Sequence, residues 1–254
     1  MSEKKLFATD FDGTLNLYPH GVTQEYLDRI KEFRDKGNVF GIITGRTYSN
    51  ASFIIKDYLQ YCDFIMCMTG AYAVGNDGET LFEYFGDGKI LPDILKTIAK
   101  IGTGYLFFAD GRESYQVDLS KPVNDDHEAI IEAGKHRTFT QINACFDPEE
   151  HFRYAIDLLE KEYGDKVSLN LNGHCVDIPP HGVDKGITVA RMADYFGVSY
   201  DNVFTAGDNE NDVPMIARFN GYTLPHGSPG CQAAAKKVMQ NVGEMLADVM
   251  KYYD

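Results

Sequence analysis

The residues Asp10-Phe11-Asp12-Gly13-Thr14-Leu15 set two carboxylates one residue apart, directly ahead of a glycine turn. The preceding Lys5-Leu6-Phe7-Ala8-Thr9 reads as a short buried strand. Asp10 therefore falls at a strand's carboxyl end, where open α/β sheets bind their ligands. Side chains two apart on extended backbone point the same way, so the pair is expected to converge on one spot. One carboxylate can then attack phosphorus as a covalent nucleophile while the second acts as general acid and base. The same letters also suit a calcium loop or a plain Asp-Gly turn.

Three further stations carry chemistry. Thr44 puts a hydroxyl at the end of a second strand, and Gly45 follows at an expected helix start whose free N–H groups suit an anion. Taken singly, Thr44 reads as a helix cap. Lys185 stands in Val183-Asp184-Lys185-Gly186; a lone lysine there reads as a solvated surface residue. Gly207-Asp208-Asn209-Glu210-Asn211-Asp212 follows an apolar strand, and by itself would cap the next short helix. Co-location changes these readings. If each cluster ends a strand of one sheet, Asp10, Asp12, Asp208 and Asp212 crowd together. Each like-charge pair at about 4 Å then costs on the order of 4 kcal/mol at an effective dielectric near 20. Something positive must sit there. Oxygen ligands without His or Cys select a hard cation, and a site that also holds a phosphate favours Mg²⁺. Lys185 supplies a second positive charge, needed because a carboxylate attacking a phosphate brings anion to anion.

The elements that must position these residues alternate. Thr23 to Lys36 carries Tyr26, Leu27, Ile30 and Phe33 at helical spacing and stops at Gly37. Residues 38–44 form a second strand, a helix runs from 45–49 to near Leu59, and Phe64 to Met68 is a third strand. Near-continuous apolar strands alternating with helices imply a parallel sheet covered on both faces. The rhythm then changes. Tyr72 to Phe85 reads as a hairpin turning at Gly75-Asn76-Asp77-Gly78. From Ile90 to Ile178 the pattern gives a helix, two strands around Asp110-Gly111, a helix near Asp125 and a strand over 139–146. A helix from Pro148 to Tyr163 and a hairpin turning at Asn172-Gly173 complete it. This is an α+β unit with an antiparallel sheet, inserted into the scaffold. A helix from Lys185 to Phe196, a strand over 202–206, a short helix after Asp212 and a helix from Gly243 restore the α/β rhythm.

With 254 residues the chain has room for two such units. A net charge of −14 and no basic run argue against a nucleic-acid partner. A small phosphorylated ligand remains compatible if the site itself holds cations. Five cysteines in no Cys-x-x-Cys pattern predict reduced, buried thiols in an intracellular protein. No signal-like or membrane-spanning apolar stretch is seen, so the expected location is the cytoplasm. The aromatic residues fall mostly at core-like spacings, and no aromatic platform for a base is expected. Oligomeric state is left open, a monomer being compatible.

Taken together, the motifs resemble the haloacid dehalogenase superfamily, and within it the Cof-type phosphatases with a large α/β cap. The resemblance runs in order through 10–15, Ile43-Thr44-Gly45-Arg46, Asp184-Lys185-Gly186 and 207–212, and spans the whole chain. It implies a Rossmann-like catalytic core over 1–83 and 181–254, with a cap over 84–180. It implies that Asp10 is phosphorylated and that Asp12 protonates the leaving alkoxide and then activates water. Thr44 and Lys185 would hold the phosphoryl group, helped by Gly45 and Asn211. Mg²⁺ would be held by the Asp10 carboxylate, the Asp12 backbone carbonyl and Asp208, with Asp212 binding through water or orienting Lys185. The expected reaction is hydrolysis of small phosphomonoesters, sugar phosphates foremost. A sugar phosphomutase, or a phosphoacceptor that does not turn over, is the alternative. Arg112, Asn172 and His174 at cap turns, and Arg46 from the core, are candidate substrate contacts. The chain departs from the family at Thr69-Gly70-Ala71, where Asn-Gly-Ala is common, and at 224–229, where relatives often carry a loop with alanine and asparagine.

Overall fold

Buried apolar runs become the strands around which the chain is organised. The computed structural model describes residues 3–147 and 149–251. The first part of the scaffold comprises β1 (Leu6–Asp10), α1 (Gln24–Asp35), β2 (Val39–Ile43), α2 (Tyr48–Ile55), β3 (Phe64–Cys67), β4 (Tyr72–Gly75) and β5 (Thr80–Glu83). The middle of the chain contributes β6 (Gly86–Asp87), α3 (Leu91–Ile101), β7 (Tyr105–Asp110), β8 (Glu113–Gln116) and α4 (Glu128–Ala133). It continues through β9 (Thr138–Phe139), β10 (Gln141–Cys145), α5 (Glu149–Tyr163), β11 (Asn170–Asn172) and β12 (Cys175–Ile178). The scaffold then resumes with α6 (Lys185–Phe196), β13 (Val203–Ala206), α7 (Val213–Arg218), β14 (Asn220–Thr223), α8 (Pro229–Ala234), β15 (Lys237–Val238) and α9 (Val242–Met250).

Eight strands form one sheet in the order β15-β14-β13-β1-β2-β3-β4-β5, parallel from β15 to β3 and antiparallel over the β4–β5 hairpin. β1 lies between β13 and β2, so its carboxyl end sits where the sheet is covered from both sides. Phe7 packs into one apolar cluster with Phe33 and Phe40, whereas Leu6 and Ala8 pack into another with Val189 and Met215. Burial on both faces explains why these strands read as continuous apolar runs. α1 follows the expected pattern, with Thr23 accepting from the Tyr26 N–H and Tyr26, Leu27, Ile30 and Phe33 turned inward.

The middle segment builds a second, antiparallel sheet of five strands, β11-β12-β10-β7-β8, with α3 and α5 over one face. Its apolar cluster draws only on residues 91 to 178, joining Ile94 and Ile98 of α3 to Phe108, Ile142 and Val176. Period-two alternation leaves the opposite face, bearing Phe107, Asn143 and Asp177, toward the scaffold.

Several details differ from the sequence reading. α2 begins at Tyr48, capped by Thr47, so Gly45 lies in a loop before the helix and not at its start. The helix also ends at Ile55, and a 3₁₀ turn over Lys56–Tyr61 follows. β14, β15, α8 and β6 have no counterpart in the sequence pattern, being two to six residues long and too short to show a period, and the expected strand over 139–146 is divided between β9 and β10. Of the expected helix from Pro148 to Tyr163, Pro148 lies outside the described residues. The cysteine reading needs correction. Cys145 and Cys175 face one another across β10 and β12 and are joined as a disulfide, a pairing that a separation of 30 residues conceals. Cys62, Cys67 and Cys231 are buried free thiols, and burial pushes each up to about 12. Among the described residues no helix is long and apolar enough to cross a membrane.

Candidate active site

β1 delivers Asp10 to the carboxyl edge of the large sheet, only 7 % exposed. The chain then turns through Phe11 to Asn16, held by Leu15 N–H to Asp10 O (3.3 Å) and Asn16 N–H to Phe11 O (2.8 Å). Asp12 thus reaches the site by this turn, since the strand has already ended at Asp10. Gly13 sits at φ +85°, and a Cβ there would fall 2.5 Å from Asp208 Oδ2, so only glycine lets this turn pass the second acidic loop. Thr14 Oγ1 donates to Asp208 Oδ1 at 2.6 Å, fixing one loop to the other.

Lys185, the first residue of α6, is fully buried. Its Nζ lies 2.7 Å from Asp10 Oδ1 and 2.5 Å from Asp212 Oδ1. The surface reading of this lysine is therefore discarded. Burial acts to lower its pKa, but the two carboxylates outweigh that and hold the ammonium charged. Asp10 is pushed well above the usual carboxylate range, chiefly by burial and also by Asp212 and Asp208, with Lys185 opposing. Asp208 is likewise raised, first by burial and then by Asp212. Asp212 is fully engaged: its Oδ2 accepts from the Asp208 and Asn209 N–H groups at 2.9 and 3.0 Å, while Oδ1 faces Lys185. It both caps the short turn over 210–212 and orients the lysine.

Asp10, Asp208 and Asp212 offer carboxylate oxygens that all lie within 4.8 Å of one another. Three acidic oxygens and one ammonium leave the cluster net negative, and an all-oxygen donor set suits a hard divalent cation such as Mg²⁺. The Asp12 carboxylate stands apart from this group. It is gripped by Arg46, Nε to Oδ2 at 2.6 Å and Nη2 to Oδ1 at 2.8 Å, on the open side of the site.

A cavity of about 840 Å³ opens above these residues. Asp10, Asp12, Thr44, Gly45, Arg46 and Asn211 form its floor. The loop over 44–46 is held from beneath by Met68 N–H to Arg46 O (2.9 Å) and Thr69 N–H to Thr44 O (3.0 Å). Met68 and Thr69 both adopt positive φ, 53° and 57°. The departure from Asn-Gly-Ala falls on this bend: Thr69 occupies a left-handed position that asparagine tolerates better than a β-branched residue. Its hydroxyl donates to Gln141 Oε1 of β10 at 3.1 Å, and Gln141 Nε2 donates to Gly45 O at 2.9 Å, so the second sheet is tied to the loop over 44–46.

Of the candidate substrate contacts, Asn172 lines the cavity and accepts from Asn209 Nδ2 at 2.7 Å. Arg112 does not. Its guanidinium donates to Tyr72 Oη and Gly78 O and stacks 4.7 Å from the Tyr48 ring, clamping the second sheet to the β4–β5 hairpin. His174 packs against Phe152 at the far end of the last hairpin, outside the cavity lining. The roof is instead made by Phe107, Gln116, Asn143 and Asp177, with Tyr105 and Phe53 at the rim. Phe53 is 72 % exposed and Tyr105 41 %, whereas most of the described aromatic side chains are buried or half-buried, as their spacing suggests. A signal for the polar members was present. Gln141, Asn143 and Asp177 interrupt apolar strands at every second residue, as side chains facing a ligand do.

Residues 7–245 match the family of haloacid dehalogenase-like hydrolases, and the chain belongs to that family. A 5-amino-6-(5-phospho-D-ribitylamino)uracil phosphatase of Bacillus subtilis is 23 % identical over 83 % of this chain and 82 % of its own length. A HAD/COF-like hydrolase of Plasmodium vivax superposes with a TM-score of 0.82 at 21 % identity, covering 99 % of this chain and 97 % of its own. A sugar phosphatase of haloacid dehalogenase subclass IIB gives 0.77 at 18 % identity, covering 98 % and 99 %.

Proposed function

We propose that this chain is a Mg²⁺-dependent phosphatase that hydrolyses small phosphomonoesters, sugar phosphates foremost, through a phosphorylated Asp10. The family and its phosphatase relatives make the chain a phosphoric monoester hydrolase. The observation that carries the finer reading is the buried Lys185 bridging Asp10 and Asp212 beside a third carboxylate, Asp208. In this reading an Asp10 oxygen attacks phosphorus and the ester P–O bond breaks, with Asp12 giving its proton to the departing alkoxide. Asp12 then takes a proton from water, which attacks the acyl phosphate, releases phosphate and restores Asp10. The Thr44 hydroxyl and Lys185 ammonium hold the phosphoryl oxygens, and the Gly45 N–H and Asn211 amide assist. Mg²⁺ would be held by the Asp10 carboxylate, the Asp12 carbonyl and Asp208, with Asp212 behind, and would offset the charge of the transferring group.

Residues 84–180 are read as the cap over the core, which residues 1–83 and 181–254 form. The polar groups of its inward face, Gln116, Asn143, Asn172 and Asp177, suit a hydroxylated leaving group. The subclass IIB sugar phosphatase and the phosphoribityl-directed relative support the same choice. A cytoplasmic location belongs to this proposal. Phosphate release from a panel of phosphomonoesters, with Mg²⁺ or with chelator, tests it. Metal-dependent release that disappears in Asp10→Asn is expected; release by that variant would overturn the covalent route.

A further inference from the structure

Asp177 stands on β12 at the roof of the cavity, only 1 % exposed. Its Oδ1 accepts from Asn143 Nδ2 at 2.5 Å and, more distantly, from Gln141 Nε2 at 3.4 Å. Its Oδ2 has no hydrogen-bond partner, and no other buried side-chain nitrogen or oxygen among the described residues is left in that condition. The Thr69 hydroxyl and the Asn211 amide lie close enough to favour the ionised form, yet neither meets Oδ2 with hydrogen-bonding geometry. Buried polar groups are almost always satisfied, so this exception calls for a partner that the protein itself does not supply.

The position of Oδ2 is specific. A Cβ on Gly45 would fall 2.7 Å from it, so the orphan acceptor lies at the seam between the phosphate-side loop and the cap. Strand register continues outward from it. Asp177 pairs with Asn143, Asn143 with Phe107, and Phe107 with Gln116, giving one transverse row across the inner face of the second sheet. All four line the cavity. Asp177 Oδ2 lies buried at the end of this row nearest Gly45, and Phe107 adds an aromatic face further along it.

Building on the phosphatase reading, we infer that Asp177, buttressed by Asn143, is a specificity-determining residue that selects phosphoesters whose leaving group carries a hydrogen-bond donor, a hydroxyl or an amine, close to the ester. A plain alkyl group leaves Oδ2 buried and unpaired in the complex, and sites that lose a designed hydrogen bond in this way discriminate strongly. Burial pushes the Asp177 carboxyl up to about 6, so at neutral pH the waiting group is mostly the stronger, anionic acceptor.

The test is a pair of substrate series: glycerol 1-phosphate against n-propyl phosphate, and ribose 5-phosphate against n-pentyl phosphate. The wild-type protein is expected to favour the hydroxylated member at least about 10-fold in kcat/KM. Asp177→Leu, which keeps the volume and removes the acceptor, should cost the hydroxylated esters roughly 10- to 100-fold and the alkyl esters no more than about 3-fold. Should that variant not fold, Asp177→Asn carries the test, with the ratio expected to fall several-fold. An unchanged ratio, or an equal loss on both members, overturns the assignment and makes Asp177 a packing or closure residue. If the wild type releases phosphate from no ester, the phosphatase reading itself fails and takes this assignment with it; turnover with unaltered selectivity sinks the assignment alone.

Discussion

The guanidinium of Arg46 holds the Asp12 carboxylate in a two-pronged grip, Nε to Oδ2 at 2.6 Å and Nη2 to Oδ1 at 2.8 Å, at the open edge of the cavity. A bidentate pair fixes direction as well as distance, which the acid and base of the proposed reaction must have. Arg46 is also anchored by Nη1 to Asn50 Oδ1 at 2.6 Å, so the pair is braced from α2. Arg46→Ala is expected to lower kcat about 10-fold while changing KM less than about 3-fold, with partial recovery in Arg46→Lys, which offers a single point of attachment. Steady-state kinetics on one good substrate decides this. A rise in KM at constant kcat would show that Arg46 serves binding instead.

Lys185 lies between two buried carboxylates, and removing it strands both. Breaking a buried ion pair by deleting one partner costs about 3 to 5 kcal/mol. Lys185→Ala should therefore melt roughly 10 °C lower than the wild type and lose at least about 10²-fold in rate. Added Mg²⁺ should recover part of the melting temperature but not the activity, because a cation in the acidic cluster replaces charge without replacing the phosphoryl ligand. Thermal melts with Mg²⁺ and with chelator separate the two effects.

Thr69 occupies the left-handed region at φ 57° and ψ 20°, an unfavourable place for a β-branched residue. Thr69→Asn should relieve about 1 kcal/mol and raise the melting temperature by about 2 to 4 °C. Thr69→Val retains the strain and deletes the bond to Gln141, so it should melt below the wild type. The order Asn, Thr, Val in a melting series checks the assignment; any other order contradicts it.

The folded protein raises Asp177 from its ordinary 3.8 to about 6, chiefly through burial. A carboxyl whose folded pKa is raised binds its proton more tightly folded than unfolded. The stability this confers is complete below about pH 4 and is lost as pH rises through 6. A rise of that size limits the loss to about 3 kcal/mol. Asp177→Asn should therefore be more stable than the wild type above pH 6, and the gap should close below pH 4. Denaturant midpoints of both proteins from about pH 3 to 8 measure it; a constant gap would mean that the carboxyl is not buried in the ligand-free protein.

Much of this was visible in the letters. Asp10, Thr44, Lys185 and Asp208 stood out as candidates because each follows or precedes an apolar run, and local periodicity reports such runs well. The helix of Lys185–Phe196 matched to the residue because Asp184 caps it and Gly197 ends it in a left-handed conformation. The five-stranded sheet's side of the cavity was less legible. Arg112 stands beside a turn, like many binding residues, but tertiary packing carries it onto Tyr48 and Tyr72. Asp177 sits inside a strand, where alternation marks only the face it is on, and its place against the 44–46 loop appears only once Gly45 is seen opposite it. The Cys145–Cys175 pair was hidden for a similar reason, since strand register and not spacing brings those thiols together.

The two walls of the cavity are written in different stretches of the chain and belong to different sheets, with Asp10 at the edge of the large sheet and Asn143 and Asp177 on the five-stranded one. That arrangement divides labour in a way that bears on descent. In the proposed reaction, substitutions along the row from Asp177 to Gln116 change which leaving group fits while Asp10, Lys185, Asp208 and Asp212 stay as they are. A lineage built on this plan can enlarge its chemical diet by editing a roof, generation after generation, without reinventing the reaction beneath it.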